Sequence, residues 1–190
     1  MDERVREILS GDDAWIVGGA VRDELLLRPV VDLDVACAEP RDAASRFAKR
    51  FGGSVFPLSE RHGAWRVVVE GVEETVDFTP VGEGIDADLA TRDFTFNAIA
   101  VHVGTAATHD PHDGRVDLAA GVIRAVSDAI FVDDPLRLLR AVRFEDELGL
   151  EPGPAIGRIL DSIEEERAAG TISTRDEALA LARELAAAES

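Results

Sequence analysis

From residue 14 to about residue 126 the chain switches repeatedly between two hydrophobic periods, and it settles into one only after residue 134. AWIVGG (14–19), VDLDVAC (31–37), AWRVVVEG (64–71) and ETVDFTP (74–80) are β-rich runs of strand length. Residues 3–9, AVRDELLL (20–27) and PRDAASRFAKRFG (40–52) carry helical spacing, the last closing at Gly52-Gly53. The runs at 64–71 and 74–80 are joined by Gly71-Val72-Glu73, which predicts a hairpin with a tight turn. Residues 86–100 mix both signals, HDPHDG (109–114) is turn chemistry, and VDLAAGVIRAV (116–126) gives a short helix then a strand. From DPLRLLRAVRFEDELG (134–149) to RDEALALARELAAA (175–188) the pattern is helical. Such an order predicts an α/β (α+β) domain, a small mixed sheet flanked by helices, over 1–133, with a helical extension over 134–190.

Composition narrows the function classes. At 46% apolar the chain has material for a core, and no run approaches the length of a membrane-spanning helix. The single cysteine, Cys37, lies in an apolar run without a partner, which fits a reducing, cytoplasmic setting. A net charge of −18 argues against a nucleic-acid binder that uses its whole surface. The basic residues are almost all arginine, and three of them crowd into DDPLRLLRAVRF, so a local anion site is compatible with the acidic background.

Asp32 and Asp34 are the anomaly. At strand period they share one face, where like charges raise each other's pKa unless a cation sits between them. Magnesium suits that position, being a hard ion with oxygen ligands that shares its shell with phosphates. Taken alone, the pair reads more readily as a strand with Leu33 and Val35 turned in and solvated carboxylates turned out. Three neighbours favour the metal reading. Gly18-Gly19 end a strand and open a helix, so backbone N–H groups can approach an anion there. Arg22 stands one turn into that helix, within reach of the same anion or of Asp23. Asp77, inside VDF (76–78), would bring a third carboxylate if its strand neighbours 31–37, as in a two-metal site. The four histidines (62, 102, 109, 112) fit no standard zinc spacing and read as polar loop residues.

Four ordered blocks resemble a known family. Gly18-Gly19-x-Val21-Arg22-Asp23 with Asp32-x-Asp34 is similar to the nucleotidyltransferase signature in the form used by bacterial tRNA CCA-adding enzymes and poly(A) polymerases of class II. Arg92-Asp93-Phe94-Thr95-x-Asn97-Ala98, Asp110-Pro111-x-x-Gly114 and Asp134-Pro135-Leu136-Arg137-Leu138-Leu139-Arg140-Ala141-x-Arg143-Phe144 resemble its later blocks, so the likeness runs from about residue 13 to 150. The resemblance implies a polymerase beta-like nucleotidyltransferase head that moves AMP or CMP from ATP or CTP to an RNA 3′-hydroxyl, most often of tRNA. It implies magnesium on Asp32 and Asp34, with Asp77 as a further catalytic carboxylate. Gly18, Gly19 and Arg22 would hold the triphosphate; Arg92, Asp134, Arg137, Arg140 and Arg143 would contact base, sugar and phosphates. On a helix opening at Pro135 those three arginines fan backward by roughly 60° per step of three. Asp93, Thr95 and Asn97 would brace the loop, or serve as plain turn and capping groups.

The resemblance thins in places. Leu27 stands where the family usually has glycine, which predicts a different turn before the carboxylate strand, and Thr91 replaces the first arginine of the RRDFTxNA block. The family's helical body and tail, which hold the tRNA, find no counterpart after residue 150, which points to an excised head or to a short protein with a partner subunit supplying RNA binding. A nucleotide-binding regulatory module with the same pocket, and an enzyme adenylylating a small molecule or protein, are the alternatives. Neither reading involves a membrane.

Overall fold

The computed structural model describes residues 2–59, 62–127, 129–149 and 151–189. The chain forms two compact units, one of Met1–Leu89 with Asn97–Pro111, the other of Ala90–Phe96 with His112–Ser190.

In the first unit, helix α1 (Glu3–Leu9) leads into strand β1 (Ala14–Val17), short helix α2 (Gly19–Leu25) and strand β2 (Asp32–Cys37). Helix α3 (Pro40–Phe51) opens on a proline, the position where a missing N–H costs nothing, and closes at Gly52 with φ 73°. Strands β3 (Ser54–Ser59), β4 (Ala64–Val68) and β5 (Thr75–Pro80) follow, then helix α4 (Ile85–Ala90), strand β6 (Ala100–His102) and strand β7 (Thr108–His109). Among the described residues these strands make one mixed sheet in the order β3-β4-β5-β2-β1-β6-β7. Only the β2–β5 pair is parallel; the others are antiparallel.

One face of the sheet carries the core. Leu33, Val35, Val76 and Phe78 alternate inward along β2 and β5 and pack with Phe47 of α3 and with Val5 and Leu9 of α1, all buried. The opposite face of β2 and β5 holds Asp32, Asp34 and Asp77. Alternation along each strand thus separates core from chemistry.

Several expectations shift. Strand β3 has no counterpart in the sequence reading, because SVFPLS is largely exposed and holds a proline that suits the edge of a sheet. The β4–β5 hairpin is present, but its strands end at Val68 and begin at Thr75, so a longer loop replaces the tight turn. Leu27 itself takes the left-handed conformation that glycine would, at φ 55°. Arg28 N–H bonds the Asp23 carbonyl at 2.8 Å and Leu27 N–H that of Glu24 at 3.1 Å, the paired bonds of a Schellman C-cap.

In the second unit a 3₁₀ turn (Thr95–Asn97) straddles the unit boundary, and helix α5 (Gly114–Ala120), strand β8 (Val122–Ile123) and helix α6 (Ala129–Asp133) follow along the chain. Helix α7 (Arg137–Leu148), strand β9 (Glu151–Pro152), helix α8 (Pro154–Ala168) and helix α9 (Arg175–Glu189) complete it. Strands β8 and β9 pair in parallel. Its core includes a triad of rings: Phe94 stacks on Phe96 at 5.6 Å, and Phe144 meets both edge-on at 5.7 and 5.3 Å. Among the described residues no helix is long and apolar enough to cross a membrane.

Candidate active site

Register brings the first unit's acidic residues into one row. Asp34 on β2 lies beside Asp77 on β5, and Asp77 lies beside Arg66 on β4. The sequence expectation that Asp77's strand neighbours 31–37 therefore holds in the fold, and neighbouring strands are spaced about 4.8 Å apart. Asp32 stands one step along the same face, opposite Thr75, whose hydroxyl donates to Asp32 Oδ1 at 2.7 Å. Asp32 is exposed, Asp34 half-buried and Asp77 buried.

Arg66 escaped the sequence reading. Its guanidinium grips Asp77 with both arms, Nε to Oδ1 at 2.6 Å and Nη2 to Oδ2 at 2.6 Å. That pair with Asp77 raises the arginine's pKa, and the charges of Asp32 and Asp34 add to the effect. The signal was available: an arginine between Trp65 and Val67 in a β-branched run needs a partner on its own face.

On the other side of β2, Val17 of β1 pairs with Asp34, so the chain leaves the sheet at the level of the carboxylates. Gly18 makes that exit with φ 70° and ψ −137°, a conformation essentially confined to glycine. The Arg22 guanidinium lies against Gly19, where a Cβ would meet Nη2 at 3.4 Å. Arg22 donates to both oxygens of Asp23, at 2.9 and 3.0 Å, and its Nη1 donates to Asn97 Oδ1 at 2.9 Å. Glycine turn, Arg22 and Asn97 therefore form one cluster within the first unit. Helix α2 is only seven residues long, so the arginine supplies most of the positive charge there.

The remaining site residues from the sequence reading lie in the second unit. Helix α7 starts at Arg137 rather than at Pro135, which sits in the preceding turn, and Asp134 Oδ1 accepts from Leu136 N–H at 3.0 Å. Arg137 Nη2 donates to the Thr91 carbonyl at 3.1 Å, and Arg140 Nε pairs with Asp93 Oδ2 at 2.7 Å. Arg143 pairs with Glu147, one helical turn on, at 3.6 Å. The guanidiniums of Arg140 and Arg143 also lie 5.9 and 5.1 Å from the Phe144 ring centre, within cation–π range. Two arginines of α7 are thus tied to the segment 91–93, where half-buried Arg92 also stands. Behind it, Thr95 donates to Asp117 at 2.7 Å, and Asp117 accepts from Arg124 at 2.9 Å; both Thr95 and Asp117 are buried.

Whether the acidic face suits a metal turns on its donors. Asp32 and Asp34 offer hard carboxylate oxygens on an accessible face, which fits an octahedral cation that keeps water and phosphate in its shell. Asp77 is committed to Arg66, and among the described residues no group of three or more His, Cys, Asp or Glu is placed to hold a metal ion.

A family model described as the poly A polymerase head domain matches residues 14–82 and 71–124. The CC-adding tRNA nucleotidyltransferase of Geobacter sulfurreducens is 49% identical over 143 residues, covering 74% of this chain and 33% of the relative. The A-adding tRNA nucleotidyltransferase of Deinococcus radiodurans is 38% identical over 176 residues, covering 90% of this chain and 40% of the relative. This chain therefore spans between a third and two fifths of the length of those curated relatives. Among solved structures, a tRNA nucleotidyltransferase complexed with a primer tRNA and an incoming ATP analog superposes with a TM-score of 0.73 at 31% identity, over 81% of this chain and 48% of its own.

Proposed function

The chain belongs to the poly A polymerase head-domain family, and from that premise we propose that it transfers AMP or CMP from ATP or CTP to the 3′-hydroxyl of an RNA, most often tRNA. The carrying observation is the row Asp77–Asp34, with Asp32 one step along, set beside a glycine turn that holds Arg22. In the reaction the 3′-oxygen attacks the α-phosphorus, the bond to the β,γ-phosphate oxygen breaks, and pyrophosphate leaves with release of the hydroxyl proton. Asp32 and Asp34 would hold divalent metal, magnesium in this reading, which lowers the charge barrier between triphosphate and hydroxyl. Asp77 completes the acidic face beside Asp34. Gly18 and Gly19 let the backbone approach the triphosphate closely, and Arg22 supplies a pre-oriented positive charge. Asp134, Arg137, Arg140 and Arg143, with Arg92, are proposed to contact base, sugar and phosphates. The family resemblance carries those five roles, and the anchoring of Arg137 and Arg140 on segment 91–93 supports them by pre-organising two of the side chains.

In this reading residues 1–133 act as the catalytic head and 134–190 as a nucleotide-recognition, neck-like segment, working in a reducing, cytoplasmic compartment. The named relatives add CC or A to tRNA, which makes a tRNA 3′ end the first acceptor to test and CTP and ATP the first donors. Incubation of tRNA lacking its terminal residues with labelled CTP or ATP and magnesium tests the proposal. Transfer by the wild type and its loss in the Asp32→Ala, Asp34→Ala double variant, with thermal unfolding retained, is the expected result. Undiminished transfer in that variant would refute the assignment of the two carboxylates.

A further inference from the structure

We infer that Arg66 is a built-in counter-ion of the acidic face, a positioning residue that pins Asp77 and confines divalent-cation binding to Asp32 and Asp34. The inference rests on the proposed metal-dependent reaction and adds to it a residue that sequence reading had not placed in the site.

Three observations carry it. The first is the fork. Both arms of the guanidinium engage both oxygens of Asp77, at 2.6 and 2.6 Å, so the lone pairs on that edge of the carboxylate are occupied. The second is register. Arg66, Asp77 and Asp34 occupy one row across β4, β5 and β2, on the face opposite the core, so the arginine's charge acts on all three carboxylates. The third is burial. Asp77 is 6% exposed at the centre of the sheet, where an unpaired carboxylate is strongly disfavoured, while Arg66 keeps a 30% exposed side chain and a path to water. With Arg66 in place the three carboxylates and the arginine sum to −2 instead of −3. That balance lets like charges stand on neighbouring strands before any metal arrives, and it removes the third carboxylate from competition for the ion.

The consequence is a weak metal site in the free protein that the triphosphate completes. A single positive charge repels a divalent ion, and at a separation of about 7 Å this weakens binding by several-fold to about tenfold even at the dielectric of water. Manganese binding to the nucleotide-free protein, followed by the loss of the free-ion EPR signal, reads this directly and needs no turnover. Arg66→Met should tighten manganese about tenfold, by removing the repulsion and freeing Asp77. Adding Asp77→Asn to that variant should cancel most of the gain. Arg66→Lys keeps the charge and should stay within about threefold of wild type, and if Arg66→Met fails to fold, Arg66→Gln takes its place with the same expected tightening. Manganese affinity unchanged in Arg66→Met, or tightened in Arg66→Lys as much as in Arg66→Met, would overturn the inference. So would a loss in Asp77→Asn alone as large as that in Asp32→Asn, because Asp77 would then already be a ligand. The Asp32→Ala, Asp34→Ala variant separates the two readings. Wild-type manganese binding there sinks the metal assignment itself, whereas lost binding there with an unresponsive Arg66→Met sinks only the role of Arg66.

Discussion

Asn97→Ala tests whether Asn97 orients Arg22 toward an anion at the glycine turn. Arg22 is held by Asp23 on one side and by Asn97 Oδ1 at 2.9 Å on the other. Asn97 is 5% exposed and the Arg22 side chain 13%, so this charge-assisted bond lies where water replaces it poorly. Bonds of that class contribute about 1.5–3 kcal/mol. Its loss should lower the melting temperature by about 4–8 °C at a cost of roughly 2 kcal/mol, for a chain of this size. Asp23 still holds the guanidinium, so the charge survives while its aim loosens. An ordering cost of about 0.7–1.4 kcal/mol then predicts triphosphate binding weaker by about three- to tenfold. Arg22→Ala removes the charge as well and should weaken binding by about thirtyfold or more. Calorimetric titration of each variant with CTP and ATP in magnesium measures both effects beside thermal unfolding. Wild-type affinity in Asn97→Ala together with a large loss in Arg22→Ala would refute the orienting role of Asn97. Wild-type affinity in both would remove Arg22 from the triphosphate site altogether.

Three further outcomes follow from local geometry. Leu27→Gly should stabilise the protein by about 0.5–1 kcal/mol in urea unfolding, since Leu27 is 93% exposed at φ 55° and has almost no burial to lose. Burial pushes the Cys37 thiol up to about 11, so the folded protein at pH 8 should resist iodoacetamide while the urea-unfolded protein reacts within minutes. Glu177 accepts from Ser173 and Thr174 N–H groups while Thr174 Oγ1 accepts from Glu177 N–H, a capping box that draws its carboxyl down to about 2. Because the folded pKa lies below the ordinary 4.5, this contribution to α9 is complete above that value and is lost as pH falls toward 2. Carboxyl chemical shifts followed from pH 5 to pH 1.5 should place the midpoint well below that of a free glutamate, and Glu177→Gln should abolish that acid-dependent step.

Much of the site was legible because strand period alone decides which side chains share a face. Asp32 and Asp34 had to point together, and Asp77 between Val76 and Phe78 had to point away from the core of its strand. Pairing order and register were another matter. Nothing local in DLDVAC and TVDFTP states that they run parallel with Asp34 beside Asp77, since parallel partners are joined through distant chain. Arg66 signalled that it needed a partner, but which partner was hidden for the same reason: that depends on which residue lies across the next strand. Leu27 is the opposite case. Its residue type argued against a left-handed turn, yet the paired bonds from Leu27 and Arg28 to the end of α2 hold it there.

The acidic composition also acquires a meaning beyond solubility. In the first unit Arg22 is paired with Asp23 and Arg66 with Asp77; in the second, Arg124 is paired with Asp117, Arg140 with Asp93 and Arg143 with Glu147. An arginine already paired with a carboxylate adds little to the long-range attraction of anions, so its value to a phosphate lies in the contact it is aimed to make. These five arginines are therefore aimed more than they are charged, and any phosphate contact made through them should depend weakly on salt. Counterion release from a single strand gives a slope of log K against log salt of about −0.7 per phosphate contact. Five independently charged arginines would give about −3.5, whereas pre-paired ones should leave a slope no steeper than about −2. Fluorescence anisotropy with a short single-stranded oligoribonucleotide, from about 50 to 200 mM salt, distinguishes the two. A slope of −3.5 or steeper would mean that the ion pairs open freely on contact with RNA, and the charge of −18 would then be a property of the outer surface alone.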